Sequence, residues 1–211
     1  PLIKKLLLPT GSYITNAYDN LARLLSTVLK NSTNGVLNSH TYGYNVGNQR
    51  TALTNTAGDY RNYTYDNASQ LKTAFGYESD GTARQQEKFG YAYDAAGNLN
   101  FRTNNALIQT FAVNSLNELS NVTRSGTLTV AGTTTSAATN VTVNSLTAAL
   151  YSDYTFARTN LALVDATTNF TAVAKDAYGR TDTNTVAVNL AATNNFAYDL
   201  NGNLLTNGTR V

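Results

Sequence analysis

The sequence predicts an all-β protein built from stacked hairpins, on three observations. Thr (33 residues) and Tyr (14) favour strands, whereas Asn (28) and Gly (14) favour turns. A seven-residue motif recurs along the chain, and a recurring unit of this size builds a fold from one small element. Between its last two copies lie short segments of alternating apolar and polar residues, the pattern of half-buried strands.

Length and charge narrow the class. The 211 residues suit one large domain or two small ones, and 42% hydrophobic content is enough for a core. Only 13% of residues are charged, against about 25% in ordinary domains, and the net charge is +2. No apolar run approaches the ~18 residues of a membrane-spanning helix. There is no Cys, which excludes a disulfide framework, a thiolate nucleophile and a Cys-based zinc site. The single His, His40, excludes a His-rich metal centre. The stretch Leu2 to Leu8 is too short for a signal peptide's apolar segment of about 7–15 residues. The chain also lacks Met, so it reads as a fragment or processed product, and its composition suits an extracellular protein.

The motif opens with Tyr18-Asp19 and ends six residues on with Leu24. It returns from Tyr65-Asp66 to Leu71, from Tyr93-Asp94 through Gly97 to Leu99, and from Tyr198-Asp199 through Gly202 to Leu204. Val113 to Leu119 is a degenerate copy, and Tyr44-Asn45 to Arg50 reads as another, one residue short. Asp or Asn after the anchor can accept hydrogen bonds from amides two residues on. A Gly, Asn or small residue three positions later can take positive φ, giving a three-residue hairpin loop with a bulge. A second aromatic precedes the anchor by two residues at Tyr42, Tyr63, Tyr91 and Phe196, on the same face. Stacked copies thereby place Tyr and Leu in ladders that bury a face no single hairpin could bury.

This Tyr-Asp-x-x-Gly-Asn-Leu pattern resembles the YD repeat of RHS-repeat proteins, over about residues 10–124 and 194–211. The resemblance implies hairpins wound into a spiral sheet, as in bacterial toxin shells and teneurin-type proteins. The family's region before a C-terminal toxin is absent, and the copies at Tyr44 and Val113 lack the Tyr-Asp pair.

The gap from Val113 to Tyr198 leaves room for one extra domain, and three parts follow: repeats over 1–125, an insertion over 126–192, and a final repeat over 193–211. Segments 127–130, 140–143, 170–174 and 185–188 alternate as strands, with a turn at Asp176-Ala177-Tyr178-Gly179, which predicts a β-sandwich. The run from Thr171 to Leu190 is similar to the closing hairpin of bacterial Ig-like domains, which implies a spacer or adhesive module.

Chemistry is sparse. Asp19, Asp66, Asp94, Asp176 and Asp199 have structural explanations in turns. Glu78, Asp80 and Glu87 form a carboxylate cluster or, more simply, the polar surround of an Asp80-Gly81 loop. His40 lacks a nucleophile elbow or thiol to serve. Asp199-x-Asn201-x-Asn203 superficially resembles a calcium loop, but the Gly falls at position four and Arg210 stands where a bidentate Glu belongs. Asn-x-Ser/Thr sequons begin at Asn31, Asn62, Asn67, Asn121, Asn140, Asn169 and Asn207. Tyr60 to Tyr65 interleaves aromatics with Arg61, yet a net +2 argues against strong phosphate binding and favours an ordinary strand. The expectation is a non-enzymatic structural segment of a secreted or cell-surface protein, with no catalytic, cofactor-binding or metal residues. Its partners are the rest of a longer polypeptide or identical subunits joined by strand addition into a filament, with the chain near residues 10–18 and 203–211 paired beyond a single hairpin. The alternative is an adhesion module gripping glycans or a receptor through Tyr and Asn side chains.

Overall fold

The computed structural model describes residues 2–208 as β-strands joined by turns, with no helix among them. The all-β expectation therefore holds. The chain divides into two compact units, Pro1–Ala83 and Arg84–Val211.

The first unit is an antiparallel meander in chain order. Its strands are β1 (Lys5–Leu7), β2 (Tyr13–Tyr18), β3 (Leu24–Lys30), β4 (Val36–Tyr44), β5 (Arg50–Asn55), β6 (Tyr60–Tyr65) and β7 (Leu71–Tyr77). One turn geometry makes the connections. Asp19 N–H donates to Arg23 C=O at 3.1 Å and Ala22 N–H to Asp19 C=O at 3.0 Å, with Ala22 at φ 63°. The ladder then resumes through a bulge, so that Tyr18 faces Leu24. This is the type I turn with a bulge that the motif demands. It recurs after Tyr65 and also at Leu8, Asn31, Asn55 and Glu78, connections that carry no Tyr-Asp pair. The copy at Tyr44 is corrected by the structure. It is full length: Asn48, not Gly47, takes the positive φ, and Arg50 faces Tyr44 where other copies place Leu. Asn tolerates the left-handed region well enough for this.

The repeat face is less buried than expected. Tyr42, Tyr44, Tyr63, Tyr65, Leu24 and Leu71 are all half-buried, and the buried apolar residues of the chain begin only at Leu107. A single sheet covers one face of its ladder only where another layer packs on it.

The second unit starts with β8 (Ala83–Tyr93), β9 (Leu99–Asn104) and β10 (Leu107–Val113), which continue the same hairpin pattern into the fifteen-residue β11 (Leu119–Thr133). β11 is the pivot. Its first half pairs with β10 as far as Gly126, and its second half pairs with an insertion strand. That insertion holds β12 (Asn140–Val143), β13 (Leu146–Thr147), β14 (Ala149–Leu150), β15 (Thr155–Ala162), β16 (Thr167–Lys175) and β17 (Thr181–Asn189). They form two sheets, β11-β15-β14 and β13-β12-β16-β17. Between these lie Val141, Val143, Ala148, Phe156, Leu161 and Phe170, the main apolar core of the chain. The chain returns through β18 (Thr193–Asn195), which pairs with β11 at Asn121 to Thr123.

Residues 203–208 differ from the expectation of wider pairing. β19 (Ala197–Tyr198) and β20 (Leu204–Thr206) pair only with each other, whereas β2 has strands on both edges. Strands of two and three residues, with the bulge between Ala197 and Tyr198, leave little edge to extend. Positions 209–211, including the Arg210 of the calcium-loop comparison, lie outside the described residues.

Candidate functional site

The motif residues sit at the hairpin turns, and the structure shows what each contributes. In the four Tyr-Asp copies the Asp after the anchor accepts hydrogen bonds at one carboxylate oxygen from two backbone amides. Asp19 Oδ1 takes Leu21 N and Arg23 N at 2.9 Å each, and Asp66, Asp94 and Asp199 repeat the pattern. Asn45 and Asn114 give Gln49 N and Glu118 N the equivalent acceptor. A neutral amide oxygen suffices, which is why Asn replaces Asp in those copies. Gly97 and Gly202 hold the left-handed position at φ 85° and 79°, as Ala22, Asn48, Ser69 and Asn117 do elsewhere.

The anchor tyrosines link one repeat to the next. Tyr44 OH donates to Leu24 C=O at 2.9 Å, and Tyr65 OH to Arg50 C=O at 2.7 Å. Each acceptor is the residue facing the anchor of the preceding copy. Tyr18 OH reaches Ile3 C=O at 3.1 Å in the same way. The residue four past the turn acceptor makes a second link, to the turn of the next copy. Arg23 Nη1 donates to Asn45 C=O at 3.1 Å and Asn48 Oδ1 at 3.0 Å, while its guanidinium lies 5.1 Å from the Tyr44 ring centroid. Gln49 Nε2 donates to Ser69 C=O, and Asn98 Nδ2 to Asn117 Oδ1. Sequence reasoning found the anchors but missed this position. Its signal is a long or amide-bearing side chain at a fixed offset: Arg23, Gln49, Asn98.

The carboxylates serve these turns. Hydrogen bonds from Arg23 hold the Asp19 carboxyl below its usual range, and the Asn98 side chain and amide do so at Asp94. Asn203 lowers Asp199 likewise, and the Asp199 side chain is engaged by Asn201 N, Asn203 N and Asn203 Nδ2 within the turn. That arrangement is a capped turn, not a calcium loop. Asp80 closes its turn by accepting Thr82 N, and Glu87 pairs with Arg84 at 3.0 Å. His40 Nδ1 meets Asn55 Oδ1 at 2.9 Å on adjacent strands. Tyr60 stacks on its cross-strand partner Tyr77 at 5.1 Å, and Arg61 pairs with Asp59. Among the described residues no cluster of His, Asp and Glu could hold a metal ion, and no helix is long and apolar enough to cross a membrane.

A further arrangement was not legible in the sequence. Arg84 on β8 is 1% exposed, the most buried charged residue. Its Nη2 donates to Asp153 Oδ2 at 2.7 Å and Thr155 Oγ1 at 2.8 Å, and its guanidinium lies 4.9 Å from the Tyr151 ring centroid. Burial pushes the Asp153 carboxyl up, but hydrogen bonds from Thr155 and Arg84 outweigh it and hold it low. Tyr151 OH accepts Gln85 N at 2.7 Å. Together these bonds fasten the β14–β15 turn of the insertion to a repeat strand. The insertion also encloses a cleft of about 420 Å³ between its sheets, with Val130, Phe156, Phe170 and Val186 on its walls.

No family model matches this sequence, and no curated protein does. Among solved structures, the chain is similar to one in the crystal structure of TcdB2-TccC3-Cdc42. The two are 16% identical with a TM-score of 0.48, and the match covers 90% of this chain and 9% of that one. The chain thus spans a small fraction of the length of the one it matches.

Proposed function

We propose that this chain is a non-enzymatic structural segment of a secreted or cell-surface RHS/YD-repeat protein, whose hairpins form part of a shell or scaffold. The observation that carries this reading is the pair of inter-repeat bonds. Tyr44 and Tyr65 grip the backbone of the copy before them, and Arg23, Gln49 and Asn98 reach the turn of the copy after them. Such a unit stacks on neighbours of its own kind and leaves its polar groups occupied, which is the economy of a solenoid. The partner that follows is further chain of the same repeat, either in the same polypeptide or in an adjacent subunit.

The insertion fits a spacer of Ig-like type. With β11 as strand B, the two sheets read B-E-D and C′-C-F-G, the immunoglobulin order without strand A. Purifying the native polypeptide and determining its ends and mass tests the proposal, together with electron microscopy of the particle. The proposal expects more Tyr-Asp copies flanking this segment and a shell or extended scaffold. A free 211-residue monomer, or a hydrolytic activity abolished by a single side-chain change, overturns it.

A further inference from the structure

A second cleft, of about 320 Å³, opens where β11 leaves the repeat ladder, lined by Arg102, Asn104, Gln109, Arg124, Thr129 and Leu190 among others. Its floor is a row across three strands. Gln109 on β10 faces Arg102 on β9 and Arg124 on β11 in direct register. The two arginines therefore sit on one face, two strand spacings apart, roughly 9–10 Å by sheet geometry. Gln109 is 6% exposed, and its Oε1 accepts both Nε and Nη2 of Arg102, at 2.8 and 2.5 Å. Arg124 gives Nη1 to Ala191 C=O at 2.6 Å, and more distantly to Asn194 Oδ1.

The cleft is positive and incomplete. No carboxylate lines it, and neither arginine has an acidic partner among the described residues. Asp165, which accepts Ala192 N at the nearby return of the chain, is not part of the lining. A guanidinium carries five N–H donors, so Nη1 of Arg102 and Nε and Nη2 of Arg124 remain unused by protein acceptors. Thr129 also lines the cleft, and its hydroxyl is buried without a hydrogen-bond partner. Two like charges on one face together with an unsatisfied buried hydroxyl are unfavourable unless something answers both.

We infer that this cleft is an oxyanion site, which takes a carboxylate, sulfate or phosphate group between Arg102 and Arg124 with the Thr129 hydroxyl as a further donor. Guanidinium donors match the planar or tetrahedral oxygens of such groups and form charge-assisted bonds. The Gln109 amide acts as a positioning group, since its oxygen fixes the plane of the Arg102 fork. The volume lies near the lower end of the ~300–1,000 Å³ usual for small-molecule sites, so a bare ion or the acidic group of a small organic molecule fits.

The test uses the full chain titrated with sodium sulfate, sodium phosphate and sodium glucuronate at ionic strength matched with sodium chloride, with glucose as the neutral control. Thermal shift and 15N side-chain resonances of Arg102 and Arg124 are followed. A saturable shift with sulfate or phosphate assigns a free-ion site, and tighter binding of glucuronate assigns an acidic sugar as the source. Arg102→Gln weakens the bound anion at least about ten-fold, and Thr129→Val weakens it measurably while leaving the fold intact. Thr129→Asp places a carboxylate in the cleft, which raises the melting temperature without anion and abolishes binding. The inference is overturned if none of the three anions exceeds the chloride control, or if Arg102→Gln and Thr129→Val both bind like the parent chain.

Discussion

Replacing Gly126 by Ala isolates the pivot on which the insertion depends. Gly126 has φ 86°, and a Cβ there would lie 2.3 Å from the backbone oxygen of Ala106. That oxygen is held, because it accepts Thr127 N at 3.2 Å, and no flexible side chain can yield in its place. Gly179 is the natural control. Its φ is 82°, but the nearest atom to an added Cβ is the flexible Lys175 Cε at 3.8 Å. Both substitutions bear the left-handed penalty of about 1–2 kcal/mol for a residue with a Cβ, partly offset by the stiffer unfolded chain. Only Gly126→Ala adds a backbone clash, of about 1–3 kcal/mol, and disturbs the Thr127 hydrogen bond, of about 0.5–1.5 kcal/mol. Gly179→Ala is therefore expected to cost no more than about 1.5 kcal/mol, and Gly126→Ala about 2–4 kcal/mol beyond that. Urea denaturation followed by circular dichroism measures both. Equal losses for the two variants would refute the argument, since the shared φ term would then be the whole effect.

Four further outcomes are expected. Tyr44→Phe removes the phenolic donor to Leu24 while leaving the ring beneath Arg23, and should lower stability by about 0.5–1.5 kcal/mol in the same denaturation assay. Val113 already stands at an anchor position where no hydroxyl exists, so Val113→Ala should alter no such bond, and proton–deuterium exchange at neighbouring amides checks this. Asp94 has a carboxyl held below its ordinary value of 3.8 by Asn98, so its contribution is fully present above that value and is lost as the pH falls through the lower folded value. A carboxyl-carbon NMR titration should place its midpoint below 3.8, and Asp94→Asn should keep the turn while removing that acid dependence, as Asn45 and Asn114 do naturally. Residues 126–192 expressed alone should give dispersed amide resonances, because the buried cluster from Val141 to Phe170 lies wholly inside that span.

The repeat was legible because its turn chemistry is local. An acceptor at Asp19 and a residue able to hold positive φ at Ala22 are enough to set each hairpin, whatever surrounds it. The turns at Asn31 and Asn55 use the same chemistry, yet they lack a preceding Tyr and were invisible to a motif search anchored on it. Strand β15 escaped for another reason. Asn160 takes φ 60° and the register with β11 slips between Leu128 and Val130, so Phe156 and Leu161 do not share one alternating pattern. Arg84 and the Arg102–Gln109–Arg124 row were beyond reach, since their partners are assigned by strand order and by contacts some seventy residues apart in the case of Asp153.

The account rests on one turn repeated with different residues at its left-handed position, and NMR reads that conformation directly. Strong intraresidue amide-to-α proton contacts, with couplings of the left-handed type, are expected at Ala22, Asn48, Ser69 and Asn117, and not at Gly47. Right-handed backbone at Asn48 with the positive φ moved to Gly47 would contradict it, for that copy would then be a shorter, different hairpin and the ladder from Tyr44 to Arg50 would lose its register.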